Sequence, residues 1–189
     1  MAVVKHKNLF AKVEQCPGCV LKKHTRNQLV GRGSAPAKLL FIGEGPNKTE
    51  DLLNENLVGP AWDLLELMIE GASAMVSIEI PTFYLSNIVL CRPWIWDYSD
   101  PDCGFNREPT KQEVLACMPN IIEIARVVNP LYVVFIGRVA ESFYKREFTG
   151  STRITHPSAH VRYGGKASPT YMQDVRTLSV LFKKLEVKK

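Results

Sequence analysis

The sequence predicts an α/β protein, a three-layer α/β/α sandwich around a mainly parallel four-stranded sheet. Three observations carry that expectation. Short apolar runs of strand length alternate with longer segments of helical periodicity, two of the runs close on glycine, and no repeat or low-complexity tract interrupts the alternation. A chain of 189 residues with 46% apolar content is the size of one domain with its own core, so residues 1–189 are expected to form one domain.

The elements follow in order. KLLFIG (38–43) suits a strand buried on both faces. AWDLLELMIEG (61–71) has apolar residues at helical spacing, with Gly71 as the expected stop. FYLSNIVL (83–90) is the second strand. PTKQEVLACMPNIIEIARVV (109–128) opens on a Thr110–Glu113 capping box and continues as an amphipathic helix. LYVVFIG (131–137) is the third strand, RVAESFYKREF (138–148) a helix, and RITHP (153–157) a short fourth strand. SPTYMQDVRTLSVLFKKL (168–185) closes the pattern as a helix with Lys183 and Lys184 in its last turn. A parallel sheet covered on both faces places its site at the carboxyl ends of the strands. Glu44, Asn87 and His156 all fall at or near those ends.

The net charge of +5 is unevenly spread. Residues 1–38 carry eight Lys/Arg and one acid, residues 143–189 ten and three, and residues 39–142 six and fifteen. Basic ends around an acidic middle fit a molecule with one positive face for a polyanion such as nucleic acid; lysine-rich termini that keep a protein soluble give the same count. No apolar run is long enough to cross a bilayer, and MAVVKHKNLF lacks the apolar core of a signal peptide. A cytoplasmic protein without membrane contact is therefore expected, in which five cysteines are free, catalytic or metal-bound rather than paired.

Cys16-Pro17-Gly18-Cys19 has the spacing that lets two thiolates share one metal ion or cluster edge, and a redox pair uses the same spacing. It precedes the first strand, whereas a thioredoxin-like redox pair follows one. Cys91 comes after the second strand and Cys117 lies inside a helix; each offers one further ligand, or in the case of Cys117 a small apolar side chain on a buried face. Four cysteines suit either tetrahedral Zn²⁺ or a [4Fe–4S] cluster, and spacing alone does not separate the two.

Five blocks occur in a fixed order: CPGCVLKKHTRNQLVGRG (16–33), LLFIGEGPNKTEDLLNENLVGPAWDLL (39–65), NIVLCRP (87–93), REPTKQEVLACMPNI (107–121) and HPSAH (156–160). In that order they resemble the family 4-type uracil-DNA glycosylases, the iron–sulfur branch of the uracil-DNA glycosylase superfamily, over roughly residues 16–162. The resemblance implies that Cys16, Cys19, Cys91 and Cys117 hold a [4Fe–4S] cluster, residues 1–37 forming the N-terminal cluster-binding segment. Residues 94–105 then read as an insertion, and Cys103 as a thiol outside the ligand set.

The resemblance also implies roles at the site. Glu44 of GEGPN matches an acid that orients water and offsets positive charge on the sugar, although a carboxylate just past a strand often only caps a helix. His156 matches a donor to the base oxygen on which negative charge develops. Asn87 matches the residue that pairs with the edge of the flipped base; its amide serves uracil or, rotated, cytosine. Glu50 falls beside the pyrimidine C5 position, and Asn47 replaces a turn glycine. Leu57 stands where the family has a base-stacking phenylalanine. Ser158 and Arg162 fall in the DNA-contacting loop.

The expected function is that of a monofunctional DNA glycosylase, acting as a monomer on single- or double-stranded DNA. It flips out uracil or a C5-substituted pyrimidine and hydrolyses the N-glycosidic bond to leave an abasic site. The alternative is a catalytically inactive iron–sulfur or zinc DNA-binding protein. For an enlarged base, Trp94, Trp96 and Tyr98 of the insertion are candidate stacking surfaces and Asp97, Asp100 and Asp102 candidate acceptors; a plain surface loop explains the same residues.

Overall fold

The computed structural model describes residues 10–95 and 104–187. Two short helices, α1 (Ala11–Glu14) and α2 (Val20–His24), come first, then strands β1 (Arg32–Gly33) and β2 (Leu39–Gly43) and helices α3 (Lys48–Leu53) and α4 (Pro60–Val76). Strand β3 (Phe83–Asn87) leads to the small hairpin strands β4 (Trp94–Ile95) and β5 (Phe105–Asn106), which are followed by α5 (Lys111–Val128). The remainder is β6 (Tyr132–Ile136), α6 (Arg138–Tyr144), β7 (Ser151–Ile154), α7 (Pro157–Arg162), a 3-10 turn (Gly165–Ala167) and α8 (Tyr171–Glu186).

The sheet has five strands in the order β1-β3-β2-β6-β7. The four expected strands are all present and mutually parallel. The fifth, β1, is an antiparallel edge strand that pairs Arg32 with Leu85 and Gly33 with Tyr84, so the expected four-stranded sheet is corrected to a mixed one of five. Two residues reading Arg-Gly carry no apolar alternation, and the tertiary register alone makes them a strand.

Strand β2 shows why three layers form. Leu40 and Ile42 pack on one face with Val114, Ile121, Ile124 and Val128 of α5. Leu39 and Phe41 pack on the other with Leu65, Met68 and Ile69 of α4 and Leu178 and Phe182 of α8. Both sets of alternating side chains are buried, which is the condition of a strand with helices on both sides. The expected stop at Gly71 is displaced: α4 runs on to Val76 and ends on Ser77 in the left-handed conformation. Gly71 lies inside the helix, where a Cβ would make an ordinary contact with Val175 of α8 at 3.6 Å. The Thr110–Glu113 capping box forms as expected, with both reciprocal hydrogen bonds made.

One buried carboxylate joins the cysteine-bearing N-terminal segment to this framework. Asp51 of α3 accepts hydrogen bonds from Thr25 Oγ1 at 2.9 Å, Arg26 N at 3.1 Å and Asn27 N at 2.8 Å, and the Asn27 side chain donates back to the Asp51 carbonyl. Thr25 Oγ1 in turn accepts from Arg92 N at 3.3 Å. Asp51→Ala leaves these donors without their acceptor, and the expected loss is about 3 kcal/mol of unfolding free energy. Urea melts of the wild type, Asp51→Ala and Asp51→Asn check this; the Asn variant, which keeps one acceptor oxygen, is expected to fall between the other two.

Candidate active site

One pocket at the carboxyl ends of the strands brings together Glu44 after β2, Asn87 at the end of β3 and His156 after β7. Asn47, Glu50, Leu57, Ser158 and Arg162 lie on its walls. The eight pocket residues that the sequence singles out thus converge on a single cavity. Two strand-end glycines permit this. A Cβ on Gly43 would collide with Asn87 Oδ1, and one on Gly137 would meet His156 Cβ at 3.3 Å, so both side chains lie across bare backbone.

Asn87 is buried, and its Nδ2 has no hydrogen-bond partner. An orphaned amide donor costs about 1–3 kcal/mol unless a ligand satisfies it, and here it faces a pocket. His156 caps the N-terminus of α7: its Nδ1 accepts from Ser158 N at 3.2 Å and lies 2.7 Å from Ser158 Oγ. An Nδ1 that accepts a backbone amide proton leaves the neutral ring its own proton on Nε2. Burial, with Arg162 adding to it, holds this imidazole below the usual histidine range and so in the neutral form. Burial also raises the Glu44 carboxyl, and repulsion from Glu108 raises it further.

Other residues build the walls. Glu50 Oε2 accepts from Asn47 N at 2.7 Å, and Asn47 Oδ1 accepts from Glu50 N at 3.1 Å, a capping box on α3. The backbone amides of Leu57 and Val58 also donate to the Glu50 carboxylate. Glu50 and Asn47 therefore hold the 57–59 loop in place. Leu57 has a positive φ of 52°, fixed from the other side by Arg32, whose guanidinium donates to the Leu57 carbonyl at 2.6 Å. Ser158 is committed to His156, and Arg162 is exposed at the mouth. The second histidine of HPSAH, His160, is fully buried: Nδ1 lies 2.8 Å from Ser168 Oγ and Nε2 2.8 Å from Asp174 Oδ2. It fastens α7 to α8 behind His156.

Several wall residues escape the sequence reading. Trp62 of α4 lines the pocket, yet it belongs to the apolar stripe with Leu65, Ile69 and Ala72, so periodicity hides it. Arg107 and Glu108 close the opposite side; they follow β5, and Arg107 is held by Glu113 through contacts of 2.8 and 2.6 Å. Trp94 is not among the lining residues. Its Nε1 donates to His24 O at 3.2 Å, and the Arg92 guanidinium lies 5.4 Å from its ring centre. Trp96, Asp97, Tyr98, Asp100, Asp102 and Cys103 lie outside the described residues.

The remaining four cysteines meet elsewhere. Cys16, Cys19, Cys91 and Cys117 line one small pocket with Lys22 and Asn120, and none is in a disulfide. Burial pushes Cys91 up to about 12 and Cys117 up to about 11, with repulsion from the neighbouring thiols adding to both. Asn120 Nδ2 donates to Cys16 Sγ at 3.2 Å and reaches Cys117 Sγ at 3.9 Å. Among the described residues no three His, Cys, Asp or Glu side chains gather as a single ion requires, and no helix is long and apolar enough to cross a membrane.

Fold and site define an α/β protein whose polar pocket, at the carboxyl edge of a parallel sheet, brings together an unpaired amide, a carboxylate and a neutral imidazole. The model of the uracil DNA glycosylase superfamily matches residues 30–177, and the chain belongs to that superfamily. It is similar to the Type-4 uracil-DNA glycosylase of Archaeoglobus fulgidus, at 30% identity over 84% of this chain and 75% of that protein. It is also similar to those of Thermotoga maritima, at 34% over 70% and 62%, and Saccharolobus solfataricus, at 30% over 69% and 55%. The matched segments thus span less than two thirds of the length of two of these three relatives. Cys91 and Cys117 fall inside the superfamily match; Cys16 and Cys19 precede it.

Two titrations follow from the pocket's electrostatics. The His156 ring is expected to titrate below 6.5 and the Glu44 carboxyl above 4.5, with Glu108→Gln bringing Glu44 back down. For His156 the unfolded chain binds more protons as pH falls through 6.5, so its contribution to stability is lost on acidification. For Glu44 the folded chain binds more, so its burial penalty is relieved in the same direction. NMR titration of the labelled side chains checks both; a His156 midpoint at or above 6.5 contradicts a neutral, buried ring.

Proposed function

We propose that this chain is a monofunctional DNA glycosylase that takes a pyrimidine out of the DNA stack and hydrolyses its N-glycosidic bond. The observation that carries this is the buried, unpartnered Nδ2 of Asn87, in one pocket with Glu44 and His156. An amide with an open donor suits the edge of a pyrimidine, because its Nδ2 can donate to O4 while its Oδ1 accepts from N3–H. Family membership and the intact set of Glu44, Asn87 and His156 stand against the alternative of an inactive DNA-binding protein.

The chemistry can be written from these side chains. The bond between the sugar C1′ and the base N1 breaks, and its electron pair leaves with the base. His156 Nε2–H donates to the base O2 as negative charge accumulates there, and a neutral imidazole does so without becoming a charged leaving partner. Glu44, ionised, faces the positively charged sugar and orients the water whose oxygen bonds to C1′; the water's proton is released to solvent. Asn87 holds the base edge, with its Nδ2 donating to O4. Glu50 and Asn47 act through the loop that they hold, and Ser158 through His156. Arg162, at the mouth, meets the DNA backbone.

The donor set of the second pocket, four sulfurs with no carboxylate, suits a [4Fe–4S] cluster. In such a cluster each thiolate takes a different iron and the sulfurs stand farther apart than around one Zn²⁺. Cys16, Cys19, Cys91 and Cys117 would hold it, with Asn120 donating to two of the sulfurs. Bound there, it cross-links the N-terminal segment to β3 and α5. The rest of the proposal is a single domain acting as a monomer in the cytoplasm on single- or double-stranded DNA. Uracil is the first expected base and a C5-enlarged pyrimidine the second, because Leu57 is smaller than a ring and leaves room beside the base.

Oligonucleotides carrying uracil, thymine, cytosine or 5-hydroxymethyl pyrimidines, followed by alkaline cleavage at abasic sites, test the activity. Glu44→Ala and His156→Ala are each expected to slow single-turnover excision by about a hundredfold or more with DNA affinity little changed. Wild-type rates in either variant remove that residue from the scheme. Iron analysis of anaerobically prepared protein tests the cluster: each of Cys16, Cys19, Cys91 and Cys117, changed to Ala, is expected to lose metal, and Cys103→Ala to keep it.

A further inference from the structure

Base selection needs a surface for the pyrimidine's flat face, and the residue at 57 offers none. Leu57 turns into the pocket wall at positive φ, carries no ring and is almost fully buried. The insertion does not replace it from the side that the structure describes, because Trp94 lies under Arg92 and away from the cavity. Among the described residues, the indole that lines the pocket is Trp62, in the first turn of α4.

Trp62 is held by a specific partner. The Arg32 guanidinium stacks over the indole at 4.2 Å from its centre, pairs with Glu55 at 2.8 Å and donates to the Leu57 carbonyl at 2.6 Å. Arg32 comes from β1, the edge strand absent from the sequence-based expectation, and only 12% of its side chain is exposed. One side chain therefore fixes both the ring and the non-aromatic residue beside it. A guanidinium on an indole also draws electron density from it, favouring contact with an electron-rich, partly anionic base.

We propose that Trp62, clamped by Arg32, is the aromatic wall for the extruded pyrimidine and a specificity-determining residue of this site. The inference rests on the glycosylase reading and assigns to α4 the stacking surface that residue 57 lacks. A base–aromatic contact present in both the bound and transition states acts mainly on KM, with a smaller effect on kcat.

The test is a set of variants: Trp62→Ala, Trp62→Phe, Leu57→Phe and the double variant Trp62→Ala/Leu57→Phe. They are compared by steady-state excision of uracil, by thermal unfolding, and by the indole N–H signal of Trp62 on binding an oligonucleotide with a cleavage-resistant 2′-fluorinated deoxyuridine. Trp62→Ala is expected to raise KM about tenfold or more, Trp62→Phe to retain most of the affinity, and Leu57→Phe to restore much of it in the double variant. The indole signal is expected to shift with the uracil analogue and not with an abasic analogue. A wild-type KM in Trp62→Ala overturns the proposal, as does a loss that tracks thermal stability and is not recovered by Leu57→Phe. If the wild type excises no base, the function proposed above fails; an indole shift specific to the base then still upholds Trp62 as the wall, and no shift removes it.

Discussion

The carboxylate of Asp51 is the point on which the two pockets depend together. It accepts from three groups in the stretch that follows α2, so it fixes the segment carrying Cys16 and Cys19. One residue earlier, Glu50 accepts from the backbone of Asn47, Leu57 and Val58, and so fixes the wall of the base pocket. Adjacent acids on one short helix thus face opposite ways along the chain. Any movement of the thiol-bearing segment is passed to α3 by ionic hydrogen bonds, which are stiffer and stronger than neutral ones. A buried charge must keep all its partners to be stable, which ties the three donors to Asp51.

Burial sets the chemical state of the proposed catalytic pair, Glu44 and His156, in a way that charge counting does not reveal. The middle of the sequence is strongly acidic, yet Glu44 meets one acidic neighbour of consequence, Glu108, behind the effect of desolvation. His156 is kept neutral by burial first and by Arg162 second. Both groups are pushed away from their charged forms, and by the same cause. A neutral imidazole with its Nδ1 occupied by Ser158 is a pre-aimed donor, so little reorganisation is left for the moment of reaction. Glu44 has the opposite requirement: it must be ionised to face a cationic sugar, and a closed pocket in which that cation forms is where its ionised form is recovered.

The sequence makes legible the parts of this molecule that are local. Strand–glycine junctions, a capping box and motif order place Glu44, Asn87 and His156 on one edge of the sheet, and the structure puts them in one pocket. What it leaves hidden is long-range. β1 exists because Arg32 and Gly33 meet β3; two residues have no periodicity to detect. Gly71 looks like a helix stop, yet α4 passes through it and ends at Val76, where Ser77 takes the left-handed conformation. Glu50 reads as a base contact by motif, and the sequence gives no sign that its carboxylate also accepts from the backbone amides of Asn47, Leu57 and Val58. Trp62 sits in a stripe of core residues, and its separation from them depends on where Arg32 arrives from another strand.

The residues proposed for catalysis and those proposed for base selection stand on different parts of the framework. Glu44, Asn87 and His156 hang from the ends of β2, β3 and β7, where strand pairing fixes them to the sheet. The walls come from elsewhere: Leu57 from a loop held at its amides and carbonyl, Trp62 from the first turn of α4, Arg107 and Glu108 from the stretch after the hairpin. That hairpin is rooted on Arg92, which donates from Nε to Asn106 Oδ1 at 2.7 Å and from its other end to the Gly104 carbonyl. Its backbone N–H meets Thr25, so the foot of the hairpin and the thiol-bearing segment share an anchor. A change in the walls therefore alters which base fits while the reacting groups stay on the sheet. The hairpin thus borders one side of the pocket with its root fixed by Arg92 and the stretch after it held by Glu113 through Arg107.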